Sequence, residues 1–542
     1  MSTPHSAPHT HADSGWSVES IQSLIVAFVI AMAFRSFVLE GFVIPTGSMA
    51  PTLMGAHVRF RSDQTGYEFP IDAGPVADML AQGGEAAMRT EVPLGDPMLG
   101  TNFPAFMKRL GSLYQRTRFG DRVLVLKSLY PFVEPRRFDV VVFKNPTDPF
   151  GDTQNFIKRL IGLPDETLLL LDGDIFTGPL DAVGLDSLRV QRKPEHIQRT
   201  VWQPVYNLDY QPVDLPRLQS IARRPWPGIP WRTPGWDERE PRARRWTSSQ
   251  PTEVTWDNTI RPIDDWNAYN MLRGRFVETI AVSDIRVAAA VEAENPQALR
   301  SQLTLTSRGH EFVFAIADGF ASVLMRGREG RETVVEDRQP VPAMRPGVAV
   351  KVECWHVDQS LSLFIDGVRV AHAEYEWNPE ERLAASFSGL SPEDFARNPL
   401  SRRPTQANIS WSFEGSPLVL RTLRLDRDLY FRPGLLNPRD QFKSNGEYID
   451  GLLFATNPME PARLSEEHFL MLGDNSAASR DGRAWGRPHP LVEAQIGDDA
   501  PFLVHRKLLL GKAGAVYFPA LLPLSDDGRA LIPDFGRLRF IR

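Results

Sequence analysis

The chain has 542 residues, too many for one ordinary core, so two to four domains are expected. Hydrophobic residues make up 42% and charged ones 24%, a globular balance, and a net charge of -6 without a basic excess argues against nucleic acid as the main partner. A single cysteine, Cys354, excludes an internal disulfide and a four-cysteine zinc site, so stability has to come from apolar burial.

Residues 1–15 form a polar N-terminal tail in which His5, His9 and His11 are read as flexible rather than metal-binding. Residues 16–40 follow as a transmembrane anchor. The centre of this segment, Leu24 to Phe34, carries no charge. It is short against the ~20 apolar residues of a span, but Ile21 and Phe37 to Leu39 extend it, with Arg35 able to snorkel. The rival is a cleaved signal peptide, because Ala31-Met32-Ala33 has the form of a cleavage site. The first 20 residues hold no Lys or Arg, so the basic region such a peptide needs is missing. The same lack leaves the orientation open.

The anchor leads into residues 41–55, where the stretch from Gly41 to Leu53 reads GFVIPTGSMAPTL. It places Ser48 on a turn shaped by Pro and Gly, directly beyond the apolar segment. A serine hydroxyl is a weak nucleophile and needs a base within hydrogen-bond reach. No histidine stands in the preceding anchor or in the turn itself. Residues 56–118 show no clean period and are read as an insertion of unknown fold. His57 to Tyr67 has the outline of a zinc knuckle, but Ser62 and Thr65 stand where cysteines are needed, so it is read as metal-free.

Residues 119–176 turn strand-like, in runs at Arg122–Leu126, Phe138–Phe143 and Phe156–Ile161, and Asp172-Gly173 marks a hairpin turn. Within the third run Lys158 alternates onto the face of Phe156 and Leu160, while Ile157 and Arg159 point the other way. A lysine serves as a base only when neutral, which requires burial to lower its pKa by two to three units or more, at about 1.4 kcal/mol per unit.

Residues 177–277 are rich in Pro, Trp and Arg and are read as a tryptophan-anchored connector. Over residues 278–440 short strands recur between turn signals, which predicts a β-sandwich. Val350, Val352 and Cys354 share one face of a strand there, and Asp366-Gly367 closes a hairpin; Asp366 is read as a turn aspartate rather than a calcium or glycan ligand. The segment Val350–Val370 resembles a concanavalin/laminin-G-like jelly roll. Residues 441–542 return to another style and are read as the last part of the first β-domain. The fold class expected is therefore mainly β: an N-terminal transmembrane helix, a catalytic β-domain built from residues 41–55, 119–176 and 441–542, and an inserted jelly-roll-like sandwich.

Four segments together resemble the signature boxes of the type I signal peptidases. They are Ile44–Leu53 (IPTGSMAPTL), Gly120–Leu126 (GDRVLVL) with Arg137–Lys144 (RFDVVVFK), Ile157–Pro164 (IKRLIGLP) and Gly473–Gly486 (GDNSAASRDGRAWG). The match covers well under half of the chain. The resemblance implies that Ser48 is the nucleophile and Lys158 the general base. It implies an oxyanion hole made by the Ser48 N–H and the Thr46 hydroxyl. It makes Ser479 the hydroxyl that orients the lysine, with Asp481 and Arg483 as a supporting ion pair. Phe42, Ile44, Pro45 and Ile157 fall where the family lines its shallow substrate pockets. Two departures stand out: Gly482 replaces the serine usual before the arginine, and Leu163-Pro164-Asp165-Glu166 replaces Leu-Pro-Gly-Asp. The implied protein is a single-pass serine endopeptidase of a bacterial cytoplasmic membrane, with its catalytic domain on the extracytoplasmic side. Its partners would be the lipid bilayer, exported preproteins with Ala-x-Ala-like signal peptides, and an unknown ligand of the sandwich, with no cofactor, no metal and no nucleic acid. Two alternatives remain at this point. One is a self-cleaving Ser/Lys repressor-like peptidase. The other is a membrane-tethered glycan- or protein-binding module carrying an inactive protease remnant.

Overall fold

The computed structural model describes residues 18–37, 39–101, 103–127, 129–151, 153–273, 278–327, 333–342, 344–399, 402–436, 451–519, 521–523 and 531–541. His5, His9 and His11 lie outside the described residues. A 20-residue α-helix, Val18–Phe37, opens the chain, and its large apolar side chains from Ile21 to Met32 are exposed. Among the described residues no helix is long and apolar enough to cross a membrane. The physical reason is local: Ser23 and Arg35 confine the unbroken apolar run to Leu24–Phe34, short of a full span. The segment expected as a transmembrane anchor is thus present as a helix whose apolar run falls short of the length of a span.

The rest is mainly β. An eight-stranded antiparallel sheet runs in the order Leu39–Val43, Arg122–Lys127, Leu509–Phe518, Val140–Lys144, Asn155–Gly162, His468–Leu472 and Val504–His505, with Arg539–Phe540 paired to the third of these. Strands from both ends of the chain therefore build one sheet; residues 56–118 leave and rejoin it between Val43 and Arg122, and the large insertion does so between Gly162 and His468. A second sheet of four strands, centred on Glu166–Leu171 and Asp174–Pro179, packs beside it. Asp172 and Gly173 take left-handed conformations between those two strands, as the hairpin turn requires.

The large insertion is a sandwich of two seven-stranded antiparallel sheets. One contains Ile285–Ala293, Val350–Val357, Ser360–Ile365 and Leu418–Arg427; the other contains Arg300–Ser307, His310–Ala317, Phe320–Arg326 and Asn408–Glu414. Alternation puts Val352, Cys354, Leu361, Leu363, Phe312, Phe314 and Trp411 into one shared core. Residues expected as a connector are part of this unit: Gln203–Asn207 and Ala243–Trp246 pair with Leu418–Arg427, and Trp231–Arg232 and Thr252–Trp256 edge the other sheet. Pro and Trp hid these strands, because edge strands tolerate proline and the tryptophans read as loop anchors. Asp366 accepts from Lys351 N–H at 2.8 Å, the work of a turn residue.

Residues 56–118 form two small hairpins, His57–Arg61 with Glu68–Asp72 and Glu91–Gly95 with Pro104–Arg109, and the helices Gly74–Met88 and Leu110–Gln115 around their own core. Hydroxyls close the first hairpin where a zinc knuckle would place sulfur. Ser62 Oγ accepts from Gln64 and Thr65 N–H, and Thr65 Oγ1 donates to Asp96 at 2.6 Å.

The first two sheets meet the sandwich through buried charge. Arg308 and Arg382 both bind Asp172 of the hairpin turn and Asp284 of the sandwich. Beside them Lys193 Nζ lies 2.5 Å from Asp358 and 2.8 Å from Asp428. Such pairs do little for net stability but penalise any docking that leaves one partner alone.

Candidate active site

Ser48 lies in the one-turn 3-10 helix Gly47–Met49, whose three residues are all buried. Glycines let other backbone close tightly around this turn. A Cβ at Gly55 would stand 2.6 Å from Gly47 N, and one at Gly120 would strike the Ile44 carbonyl. Lys158 comes from strand Asn155–Gly162, paired directly with Val141. Its Nζ stands 2.7 Å from Ser48 Oγ and donates to Ile157 O at 3.2 Å. The side chain is only 4% exposed. Burial lowers its pKa to about 8, against the opposing pull of the Asp481 and Asp474 carboxylates. Near neutrality the pair can pass one proton between a hydroxyl and an amine, which is what a serine needs to become a nucleophile.

The loop after strand His468–Leu472 closes the other side. Arg483 Nε and Nη2 bind Asp481 at 2.9 and 2.8 Å, and Asp481 also accepts from Gly473 N–H. Burial alone would raise the Asp481 pKa, but the Arg483 guanidinium holds it below its ordinary value, so a fixed negative charge remains near Lys158. Asn475 accepts nothing from the serine. Instead its N–H donates to Ser48 O at 3.0 Å and its amide Nδ2 to Gly47 O at 3.0 Å.

The residues singled out in the sequence gather here, with one difference. Phe42, Ile44 and Ile157 pack in one cluster with Met49 and Leu53, and Pro45 and Thr46 are exposed beside it. Thr46 makes no side-chain bond capping the turn. The difference is Ser479. Lys158 bonds Ser48 and Ile157 O, while Ser479 Oγ is buried without a hydrogen-bond partner. It lies against Gly473, where a Cβ would collide with it. Both family departures fit their surroundings. A Cβ at Gly482 would stand 2.7 Å from Leu470 Cδ1 and 2.9 Å from Phe502 O, too close for a serine without a shift. Asp165 takes φ 60, a conformation aspartate tolerates where glycine is usual, and Glu166 binds Arg137 through both oxygens.

Five contributors were not read from the sequence. Arg159, next to Lys158, binds Asp474 through Nε at 2.7 Å and Nη2 at 2.6 Å, with both side chains fully buried, and Thr52 Oγ1 donates to the same carboxylate. The adjacency of Arg159 to Lys158 and of Asp474 to Gly473 was the available signal. Tyr269 and Asn270, from the inserted region, gave none.

Three carboxylates, Asp174, Asp358 and Asp428, lie close enough to hold a metal ion, but Lys193 Nζ already supplies a positive charge to two of them. A cleft of about 940 Å³ opens beyond Asn270, between Gly95, Arg224, Arg273, Arg432 and Ala478.

Residues 101–177 match the family model for signal peptidase, peptidase S26, a stretch that contains Lys158 but not Ser48. Among curated proteins the chain is similar to signal peptidase I of Pseudomonas aeruginosa, 28% identical over 152 residues, covering 28% of this chain and 34% of that protein. Signal peptidase I of Leptolyngbya laminosa is 32% identical over 90 residues, 16% of this chain and 42% of that one. The chain thus spans roughly a third to two fifths of the length of these relatives. Solved structures similar to it include galectin LEC-6 of Caenorhabditis elegans, at 13% identity over 27% of this chain and 82% of that one, with a TM-score of 0.17. Another is the carbohydrate-binding module CBM66 from Bacillus subtilis, at 8% identity over 36% and 95%, with a TM-score of 0.21. Scores this low assign neither a fold nor a ligand. The resemblance to type I signal peptidases read from the four boxes is shown by the family and relative matches.

Proposed function

We propose that this chain, related to the signal peptidases through its peptidase S26 region, is a membrane-anchored serine endopeptidase that removes signal peptides from exported preproteins with Ser48 and Lys158. The observation that carries the reading is the 2.7 Å contact between Ser48 Oγ and a buried Lys158 amine with a pKa lowered to about 8. With the amine neutral, the Ser48 O–H donates to Nζ. Oγ then attacks the scissile carbonyl carbon as its proton passes to Lys158. The carbonyl oxygen becomes an oxyanion facing the Ser48 N–H and the Thr46 hydroxyl, each worth about 2.7–4 kcal/mol in the transition state. Collapse breaks the C–N bond, and the amine of the mature protein leaves with the proton from Lys158. Water then attacks the Ser48 ester carbonyl as its proton passes to Lys158, and collapse breaks the C–Oγ bond, Lys158 returning that proton to Oγ as the signal peptide leaves with a free carboxyl group. Ser479 and the Asp481–Arg483 pair support the lysine's surroundings.

Substrate would lie extended beside residues 43–46, adding a strand to the edge there, with small residues facing Phe42, Ile44, Pro45 and Ile157. The exposed apolar side chains at the centre of helix Val18–Phe37 support a membrane anchor, since the stretch Leu24–Phe34 is apolar on every face and such a stretch needs an apolar surrounding. This charge-free apolar centre is shorter than the ~20 residues of a span, so the residues flanking it would have to complete the anchor. Ser48 follows the helix closely and would meet a membrane-held signal peptide at the bilayer surface. The resemblance to the signal peptidases, not the helix itself, supplies the rest of the localisation: the cytoplasmic membrane of a bacterium, single-pass, with the catalytic sheets on the extracytoplasmic side.

The test is processing of a preprotein with Ala at the first and third positions before the cut, using the full chain in lipid or detergent. One cleavage after the second Ala is expected, identified from the N-terminus of the product. Ser48→Ala should lower the rate by more than about 10³-fold. No cleavage by the wild-type chain, or undiminished cleavage by Ser48→Ala, would instead favour a tethered binding module or a contaminating protease.

A further inference from the structure

The inserted region reaches into the serine turn itself. Its segment Ala268–Asn270 is a short 3-10 helix whose entry is fixed by Asn267, which accepts from Tyr269 N–H. Both flanks of this strap are fastened. Arg427 of the sandwich donates to Asp265 O at 3.0 Å and Trp266 O at 3.2 Å, and Arg273 pairs with Asp72 of the first insertion. Tyr269, 1% exposed, packs its hydroxyl end against Gly47, where a Cβ would collide with Cε1, and its hydroxyl donates to Ala56 O at 3.3 Å.

Beside it Asn270 and Asn475 form a closed amide pair. Asn270 Nδ2 donates to Asn475 Oδ1 at 2.6 Å, and Asn475 Nδ2 donates to Asn270 Oδ1 at 2.9 Å. The same Asn475 Nδ2 donates to Gly47 O at 3.0 Å, a carbonyl that Ala50 N–H also binds at 3.0 Å. In a trans peptide the C=O and N–H point in opposite directions. Holding Gly47 O therefore fixes where the Ser48 N–H points. An unrestrained Asn475 amide could turn over and present oxygen to Gly47 O, which would repel it. Asn270 prevents this, because it offers a donor to Oδ1 and an acceptor to Nδ2.

We infer that Asn270, supplied by the inserted region, is a positioning residue that locks the Asn475 amide and so aims the Ser48 N–H at the developing oxyanion, with Tyr269 as its backstop. The inference rests on the peptidase reading of Ser48. It gives the insertion a part in catalysis separate from anything the sandwich binds.

The test uses the full chain with Asn270→Ala, Asn270→Asp, Asn475→Ala and the Asn270→Ala/Asn475→Ala pair. Asn270→Ala should lower kcat for the preprotein about tenfold with KM and Tm little changed, a fraction of the 10²–10³ lost with a whole oxyanion donor. Asn270→Asp, which accepts but cannot donate, should lose at least as much. The double variant should be no slower than Asn475→Ala alone, because the two residues act as one unit. A second readout isolates the oxyanion. A substrate-like peptide aldehyde, which forms a hemiacetal on Ser48, should lose affinity in Asn270→Ala, while the matching peptide alcohol should not. Unchanged kcat and an unchanged aldehyde-to-alcohol ratio, in a variant of an active wild type, would overturn the inference and leave the peptidase reading intact. A wild-type chain inert to both preprotein and aldehyde would overturn both.

Discussion

Lys158→Met is expected to lower kcat for preprotein cleavage by about 10³–10⁴-fold and at the same time to stabilise the folded protein. Both effects come from one fact, the burial of an amine that must lose its proton to work. The amine titrates at about 8, so in the wild type kcat/KM should rise with pH along a single limb centred near 8 and level off above it. Methionine keeps the length and apolar character of the side chain but has no lone pair to take the Ser48 proton. The stability sign follows from linkage. Between about pH 8 and the ordinary lysine value, the unfolded chain holds a proton that the folded chain has released, so wild-type stability rises with pH through that window. Below it the folded protein carries a charged amine at a cost on the order of 3 kcal/mol, from about 1.4 kcal/mol per pH unit. Methionine removes that cost, and Lys158→Met should unfold at a higher urea midpoint than wild type at pH 7, the gap narrowing toward pH 10. A variant that is inactive because it is unfolded would contradict this account, and so would a wild-type rate independent of pH between 7 and 9.

Much of this site could be read in the chain because its chemistry is local in sequence. Ser48 lies in a turn whose glycines and prolines signal close backbone approach, and Lys158 lies in an apolar run whose alternation announces a buried strand. That these two meet across 110 positions came from the resemblance of the boxes, not from either segment alone. Asn270 could not be found this way. It sits in a Pro- and Trp-rich stretch without a period, and its role depends on an amide 205 residues away. The strands between Gln203 and Trp256 were hidden for a related reason: they are short edge strands, and their partners in Leu418–Arg427 and Asn408–Glu414 lie far along the chain. Ser479 shows the reverse case. The resemblance of its box implied a hydroxyl that orients Lys158, yet Gly473 and the tight loop place that hydroxyl without a partner, a detail set by packing that a box does not encode.

Asp474→Ala should be the most destabilising single change near the site, by about 3–5 kcal/mol. Arg159 and Asp474 are fully buried and joined by two bonds, with Arg159 Nη1 also donating to Phe138 O. Alanine would strand a guanidinium that cannot shed its proton, in a place water does not reach, and would leave the Thr52 hydroxyl without its acceptor. Replacing both partners by leucine should recover most of the loss, since the isolated charge and not the missing attraction carries the cost. Urea unfolding of the two variants reads this directly, and a loss under about 1 kcal/mol for Asp474→Ala would refute it. The milder Asp474→Asn separates structure from catalysis. It keeps the shape of the contact but removes a negative charge that raises the Lys158 pKa. The base limb of kcat/KM should then move below pH 8, so that relative to its own plateau the variant is more active at pH 7 than wild type. A limb moving upward, or staying fixed, would mean that the Asp474 charge does not reach the lysine that activates Ser48.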